Sequence, residues 1–253
     1  MSAPLASDRQ RRAAALRRFG SAFVGSPAYP PNAADLRTVT VLGIEMPFRA
    51  AIAVVVVTLA ILFDFSRSFI PESIQDLGRA AEAMRFQAIE RLVLFLIVPM
   101  AVVVLLFRDR PSRYGWQIGD WRWGVGLAVV GAALMTPVAL YVGSDPLFRA
   151  YYAVSAASPL DHVITHTLDL VPAEFLVRGF FMFAMIRVFG GIGVLIATMP
   201  FVFGHLGKPE IEVFSTLFGG LAYGWLNWRT GSILYSAAAH IWILTVLLVA
   251  TGS

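Results

Sequence analysis

Residues 124–143 read GVGLAVVGAALMTPVALYVG, a stretch of twenty positions without one charged side chain. An α-helix needs about 20 predominantly apolar residues to cross the hydrocarbon core of a bilayer. The length and composition of this stretch therefore predict a transmembrane helix. Comparable apolar stretches recur on both sides of it, so the expected fold class is all-α, a polytopic transmembrane helix bundle.

The overall composition indicates the same class. Of the 253 residues, 58% are hydrophobic and 14% are charged, whereas soluble domains have about 45–50% apolar and about 25% charged residues. The net charge of +4 does not indicate nucleic acid as a partner, because the basic residues cluster beside apolar runs, where they set topology. The absence of cysteine excludes disulfides, thiolate metal sites and a cysteine nucleophile.

The chain is expected to form one bundle over residues 39–253. Seven spans are predicted, at about 47–65, 92–107, 124–143, 160–187, 190–206, 211–228 and 231–250. Between the first two, residues 66–91 combine Pro71 and Glu72 with alternating charges, a pattern that predicts an amphipathic surface helix. A re-entrant span is the alternative there, so the expected total is seven or eight.

Residues 1–38 form a basic, polar segment with five arginines before residue 20. Such a segment is typical of an interfacial helix or a loose tail, and Pro27–Asn32 is predicted to be a Pro-rich linker. Because cytoplasmic segments are rich in Lys and Arg, we expect a cytoplasmic N-terminus and a C-terminus on the other side. The four arginines of residues 66–91 argue against this orientation, because it places them on the outer side of the membrane. The Arg-, Ala- and Val-rich composition suits a bacterial inner membrane.

Ionisable side chains inside the predicted spans concentrate in the C-terminal half, and the N-terminal spans are predicted to be scaffold. An ionisable group deep in lipid costs about 2.5–3.5 kcal/mol on insertion scales, so such residues are functional candidates. All four histidines belong to this half. The candidates are Glu174, Arg178, His205 and His240, with His162, His166 and Asp169 nearer a span end.

Glu174 and Arg178 are four residues apart, so they share one helix face and can form an ion pair. A pair lets both groups stay charged in a low dielectric. Pro172 removes a backbone hydrogen bond near Glu174 and can open the helix locally to water. Spacing alone leaves two interpretations, a reactive carboxylate and a structural ion pair that locks two helices together.

The two span histidines extend the candidate site. His205 lies just before a Gly/Pro turn, and His240 follows three alanines that allow close helix approach. A carboxylate with one histidine can activate water, and a second, neutral histidine can stabilise an oxyanion. Zinc bound by Glu174, His205 and His240 is one alternative, although the His-Glu-x-x-His motif is absent. A proton relay in a transporter is another.

At these residues the sequence resembles the CPBP family, which comprises CAAX prenyl endopeptidases and bacteriocin-processing intramembrane proteases of the Abi type. The family pattern is Glu-Glu-x-x-x-Arg, then Phe-x-x-x-His, then His-x-x-x-Asn/Asp on successive helices. The corresponding residues here are 173–178, 201–205 and those that begin at His240. Motif order and placement agree over about residues 160–250, which is therefore the expected catalytic region.

Two positions depart from the family pattern. The first Glu of the pair, usually the water-activating one, is Ala173, and the Asn/Asp four residues after the last His is Leu244. The sequence is similar to a subgroup with a single Glu, followed by His-x-Gly-Lys-Pro-Glu, here residues 205–210. An engineered Glu→Ala change at position 173 would explain the first departure equally well.

The resemblance implies a role for each site residue. Glu174 is expected to be the general base, with His205 as its partner and His240 as the oxyanion donor. Arg178 would orient the carboxylate. Supporting positions would be Ala173, Leu244 and Glu210, the last of these replacing some of the lost polarity.

The sequence thus predicts an intramembrane endopeptidase that hydrolyses membrane-anchored proteins or peptides without a cofactor. Its partners would be that substrate and the lipid bilayer. The alternative is a catalytically inactive family member that acts as a membrane binding or immunity protein, because two polar positions of the family are apolar here. A transporter is disfavoured, since the N-terminal spans lack polar residues along a through-path.

Overall fold

The structure is a computed structural model that describes residues 27–67, 69–77, 81–152 and 158–252. Within these ranges nearly all regular structure is helical, as predicted. The helices are α1 (Phe48–Ser66), α2 (Glu72–Gln75), α3 (Ala81–Leu106), α4 (Trp121–Gly143), α5 (Pro146–Tyr152), α6 (residues 159–189), α7 (Ile192–Phe203), α8 (Glu210–Thr230) and α9 (Leu234–Thr251).

Four described helices, α1, α3, α4 and α9, are long and apolar enough to cross a membrane. The 23-residue α4 has only 6% of its apolar window buried within the protein. An apolar surface of that size requires a non-aqueous environment. The chain is therefore an integral membrane protein of helices, and four of the seven predicted spans have the length and composition of a crossing. The apolar α7 has 12 residues.

The prediction of a separate surface helix over residues 66–91 is wrong. Helix α3 runs from Ala81 to Leu106, so residues 81–91 are the first turns of the second crossing helix. Only the four-residue α2 precedes it within the described part of this segment. Of the charges that suggested a surface position, Arg91 has partners inside the bundle, because it binds Asp64 of α1 and Asp169 of α6.

A β-hairpin leads into α1 and was not predicted. Strand β1 (Thr38–Val41) pairs antiparallel with β2 (Ile44–Pro47). The two residues between the strands, Leu42 and Gly43, have φ of 53° and 81°. Positive φ at both central positions is the geometry that two-residue hairpin turns require. Of the expected basic segment 1–38, residues 1–26 lie outside the described residues. Pro27–Asn32 is described and forms neither helix nor strand.

Contacts between helices fix their relative directions. Arg49, at the start of α1, donates to the Phe107 carbonyl just beyond the end of α3 at 2.8 Å, so α1 and α3 are antiparallel. Helices α4 and α9 are parallel, because Gly124 packs against the Tyr235 ring and Gly143 against Ala250.

These directions define two faces of the bundle. The hairpin face consists of residues 27–49, 107–122, 187–192 and 229–234. The far face consists of residues 64–81, 143–161 and 203–212, as far as the structure describes them. The C-terminal end of α9 reaches the far face.

Helix α6 lies at the centre of the bundle. Every residue from 174 to 187 is buried, and a helix that is enclosed on all sides occupies the core of a bundle. Its segment Phe175–Phe181 is π-helical and begins three residues after Pro172, which lacks the N–H group that a regular α-helix uses. Helix α3 also has π-helical segments close to a proline, and they lie on both sides of Pro99.

A network of four charges, of which Asp35 and Arg49 are buried, closes the hairpin face. Arg49 pairs with Asp35 at 2.6 Å and with Asp109 at 3.1 Å. Arg113 pairs with the same two carboxylates at 2.7 and 3.0 Å. The network therefore fastens the segment before the hairpin to α1 and to the loop after α3.

Replacing Asp35 by Asn leaves Arg49 buried with one of its two ion-pair partners missing. Removal of one member of a buried pair costs about 3 kcal/mol. We therefore expect the free energy of unfolding to fall by about that amount, measured by thermal unfolding of the purified protein. The matched control is Arg85→Gln, because the Arg85 side chain in the pair with Asp161 is 54% exposed. Its loss should leave the stability nearly unchanged, because solvent screens an exposed ion pair. Equal effects of the two changes would contradict the structural role of Asp35.

The same network predicts a dependence of stability on pH. Burial raises the pKa of the Asp35 carboxyl, but hydrogen bonds from Asn32 and Arg49 and the charge of Arg113 outweigh it and hold the pKa below its usual value. A depressed pKa stabilises the fold above the unfolded value of about 3.9. The stability advantage of wild type over Asp35→Asn should therefore be constant at neutral pH and disappear as the pH falls through the folded pKa. An advantage that persists unchanged at pH of about 2 would contradict this assignment.

Candidate active site

Glu174 is the centre of the site. It lies in α6, and 1% of its surface is exposed. Arg178 donates to Oε1, His240 Nδ1 lies 3.0 Å from the same oxygen, and Ser236 donates to Oε2 at 2.8 Å. Donors to a carboxylate favour its charged form. Helices α6 and α9 thus hold the Glu174 carboxylate between them in a fixed orientation.

Arg178 connects this carboxylate to two further helices. Its guanidinium carbon lies 3.9 Å from the centre of the Phe201 ring of α7 and 5.1 Å from that of Tyr223 of α8. Stacking on aromatic faces compensates a desolvated cation. Arg178 is itself 2% exposed, so it both orients Glu174 and joins α6 to α7 and α8.

His205 follows the end of α7, in a turn formed by residues 204–207. Its Nδ1 lies 2.7 Å from the Phe201 carbonyl oxygen. A carbonyl only accepts, so Nδ1 carries the hydrogen and Nε2 is the basic nitrogen of the neutral ring. The ring is nearly parallel to that of His240, with centroids 6.4 Å apart.

The structure brings the four principal residues predicted from the sequence to one cavity of about 130 Å³, between α6, α7 and α9. A cavity of this size with several polar groups in its lining has room for a few water molecules. Glu174, Arg178, His205 and His240 are all among its lining residues. Of the supporting positions, Ala173 and Leu244 also line the cavity, so both departures from the family pattern face the site. Glu210 does not line it; it is exposed in the first turn of α8.

The N-terminal half also contributes to the cavity, contrary to the prediction that it is scaffold. Asp64 of α1 and Arg91 of α3 are part of the lining. Asp64 is a charged residue at the end of the first apolar run, which is the signal by which it could have been found. Ser236 was missed as well, although it lies four residues before His240 and hence on the same helix face.

Within the described ranges, no group of three or more His, Cys, Asp or Glu side chains is placed to hold a metal ion. Glu174 and His240 are neighbours, but His205 directs Nδ1 to the backbone of Phe201. The described arrangement is that of hydrogen-bonded acid and base groups beside a cavity.

A comparison with known families identifies the segment that contains these site residues. Residues 156–246 match the family model described as Type II CAAX prenyl endopeptidase Rce1-like. The resemblance to the CPBP family is therefore confirmed for this range, which contains the whole of the Glu174 cluster. It is a family of membrane proteases. Searches among curated proteins and among solved structures gave no match.

The Glu174–Arg178 pair predicts a non-additive effect on stability. Arg178→Gln leaves a buried carboxylate without its cation and should cost about 3–5 kcal/mol. Adding Glu174→Gln removes that unpaired charge, so the double variant should recover about 0.5–3 kcal/mol relative to the sum of the single changes. The measurement is a double-mutant cycle of thermal or denaturant unfolding. Strictly additive losses would show that the two side chains do not interact.

Proposed function

We propose that the protein is an intramembrane endopeptidase that cleaves membrane-anchored proteins or peptides. One observation carries the proposal: Glu174 and His205, a carboxylate and a basic imidazole nitrogen, meet at one cavity inside the segment that matches a protease family. General-base catalysis needs such a group within reach of a water molecule.

In the proposed mechanism, a water molecule in the cavity is hydrogen-bonded to Glu174 and to Nε2 of His205. As its oxygen attacks the peptide carbonyl carbon, its proton passes to one of these two bases. The carbonyl oxygen becomes the oxyanion of a tetrahedral intermediate. When the C–N bond breaks, the base returns the proton to the leaving amine. No bound metal is required, so we propose that the enzyme works without a cofactor.

His240 is the proposed oxyanion donor, and the structure adds a condition to that role. Its Nδ1 faces the Glu174 carboxylate, so a neutral His240 with its hydrogen on Nδ1 has none on Nε2. Donation from Nε2 to an oxyanion therefore requires the imidazolium form.

The environment of the site supports a substrate that is itself in the membrane. The helices around it expose large apolar side chains, for example Phe214 and Phe218 of α8, which are 68% and 72% exposed. We propose that α6, α7 and α8 lie in the bilayer with the four long apolar helices and complete the seven spans. We also propose that the membrane is a bacterial inner membrane and that the N-terminus is cytoplasmic.

An inactive binding or immunity protein is the alternative. It would rest on Ala173 and Leu244, which place apolar groups at the cavity. The convergence of Glu174, His205 and His240 on one cavity favours catalysis, because a binding surface has no need of a buried carboxylate and a basic imidazole that line the same cavity.

We expect Glu174→Gln and His205→Gln each to lower peptide cleavage by about 10²–10⁴-fold, since general-base catalysis contributes a factor of that size. The assay uses the full chain in proteoliposomes and a panel of internally quenched peptides with a lipid anchor or a single span. Glu210→Gln is the matched control: the same change at an exposed glutamate outside the cavity should leave the rate unchanged.

Three outcomes would contradict the proposal. Cleavage that survives in Glu174→Gln at the wild-type rate would exclude Glu174 as the base. Loss of cleavage on dialysis against a chelator, with recovery on adding zinc, would replace the cofactor-free mechanism by a metal-dependent one. Binding of a panel peptide without cleavage by the wild-type chain would favour the alternative.

A further inference from the structure

One face of the β-hairpin is apolar along its whole length. Val39 of β1 lies opposite Met46 of β2. Nearer the turn, Val41 lies opposite Ile44. Side chains two apart on a strand, and those directly opposite on the partner strand, point to the same side of a sheet. These four apolar side chains therefore share one face.

The other face of the hairpin is polar. Thr40 and Glu45 lie opposite each other on it. Thr38 lies on the same face, and its hydroxyl donates to the Glu45 carboxylate at 2.6 Å. All three residues are exposed. The hairpin is thus amphipathic, with one face suited to water and one that is not.

The described part of the protein covers only the base of the apolar face. Val39 and Met46 are half-buried, whereas Val41 and Ile44 are 49% and 64% exposed. Leu42, at the tip of the hairpin, is 98% exposed. Contiguous apolar side chains that a protein leaves uncovered indicate a surface that contacts a membrane or a partner.

Leu42 is unfavourable at the tip for a second reason. Its φ of 53° lies in the left-handed region, which glycine and asparagine adopt readily and in which leucine is strained. In a hairpin surrounded by water, neither the backbone conformation nor the exposure favours leucine. An apolar environment around the tip would offset both costs.

The base of the hairpin is fixed at the end of a membrane-crossing helix. Strand β2 ends at Pro47 and α1 begins at Phe48, with no residue between them. Arg37 directly precedes β1, and its guanidinium carbon lies 5.9 Å from the centre of the Phe48 ring. A four-residue strand is about 13 Å long, so the tip remains within reach of the bilayer surface that α1 enters.

Other residues of the hairpin face have the composition of a membrane interface. Trp116 and Trp121 are 37% and 57% exposed, and Ile118 is 65% exposed. The Arg122 guanidinium carbon lies 5.7 Å from the centre of the Trp121 ring. Tryptophans gather at the boundary between hydrocarbon and headgroups, and arginines near it extend to the headgroups. The hairpin thus lies at the same end of the bundle as residues that mark the bilayer boundary.

We propose that the hairpin is an interfacial anchor whose partner is lipid. It lies against the bilayer with its apolar face towards the acyl chains, so that Val41, Leu42 and Ile44 enter the boundary between headgroups and hydrocarbon. A second copy of the chain is a poorer occupant, because three side chains provide far less than the about 1,000 Å² that a stable protein interface needs. This anchor goes beyond the proposed function and does not depend on it.

The chain contains no cysteine, so a spin label can be attached to single introduced cysteines. Ile44→Cys reports on the apolar face near the tip. Thr40→Cys, on the polar face of the same hairpin, is the matched control. Leu134→Cys is the reference in hydrocarbon, because this side chain of α4 is 67% exposed. The full chain is placed in nanodiscs of phosphatidylcholine and phosphatidylglycerol, one chain in each disc.

Power-saturation EPR then compares collisions of the label with oxygen, which concentrates in lipid, and with a water-soluble nickel chelate. At position 44 oxygen should dominate, as at position 134, whereas nickel should dominate at position 40. Equal collision with nickel at positions 44 and 40 would place the whole hairpin in water and overturn the proposal. Low collision with both reagents at position 44 would also overturn it, since another segment of the chain then covers the face.

A second copy as the occupant has its own signature. In proteoliposomes it would give spin–spin broadening of the label at position 44 that disappears on dilution with unlabelled chain. That result would overturn the assignment to lipid. Unbroadened spectra at every dilution are the expected outcome.

Leu42→Asn tests the anchor while preserving the turn. Asparagine is favoured at positive φ in a two-residue hairpin turn, so the hairpin should keep its geometry while its tip loses the apolar side chain. In the Ile44→Cys background this change should raise collisions with nickel and lower those with oxygen. Thr40→Asn, the matched control on the polar face, should leave both unchanged.

Unchanged collisions in Leu42→Asn would show that Leu42 does not hold the tip in lipid and would contradict the proposal. These measurements involve no substrate and no cleavage. A chain whose hairpin enters the bilayer as expected but that cleaves no peptide would therefore refute the proposed function and leave the anchor standing.

Discussion

The burial of the Glu174 charge is the constraint on which the rest of the structure depends. A carboxylate without compensation in a low-dielectric interior would take up a proton or pull in water. Here it is compensated by Arg178 on its own helix and by Ser236 and His240 on α9. Since Arg178 also stacks on Phe201 and Tyr223, one charge organises the positions of four helices.

A second ion cluster repeats this principle nearer the far face. Arg91 joins α1 to α6 through Asp64 and Asp169, and it also lines the catalytic cavity. The charged groups of these two clusters, which are costly in lipid, are tolerated because each is paired with a group of opposite charge or lines a cavity that can hold water. The same residues therefore contribute to the stability of the bundle and to the polarity that hydrolysis requires.

Much of the site was visible in the sequence because ionisable residues are rare in apolar spans. Glu174, Arg178, His205 and His240 stood out for that reason, and all four line one cavity. Glu210 belonged to the same motif but lies outside the cavity, because α8 begins at that residue and leaves it exposed. Asp64 and Arg91 were overlooked, since each lies near the end of an apolar run, where a charge ordinarily contacts water. Their burial follows from packing against α6, which no local pattern records.

The sequence by itself determined that this chain is a membrane-embedded helical protein and which rare polar residues deserve notice, because hydrophobic length and the cost of charge in lipid are local properties. Only the tertiary structure decided that residues 81–91 continue into α3, that Ser236 donates to Glu174, and that Asp64 and Arg91 line the catalytic cavity. These facts depend on which helix faces oppose one another. That choice is made by packing and ion pairing between residues far apart in the chain.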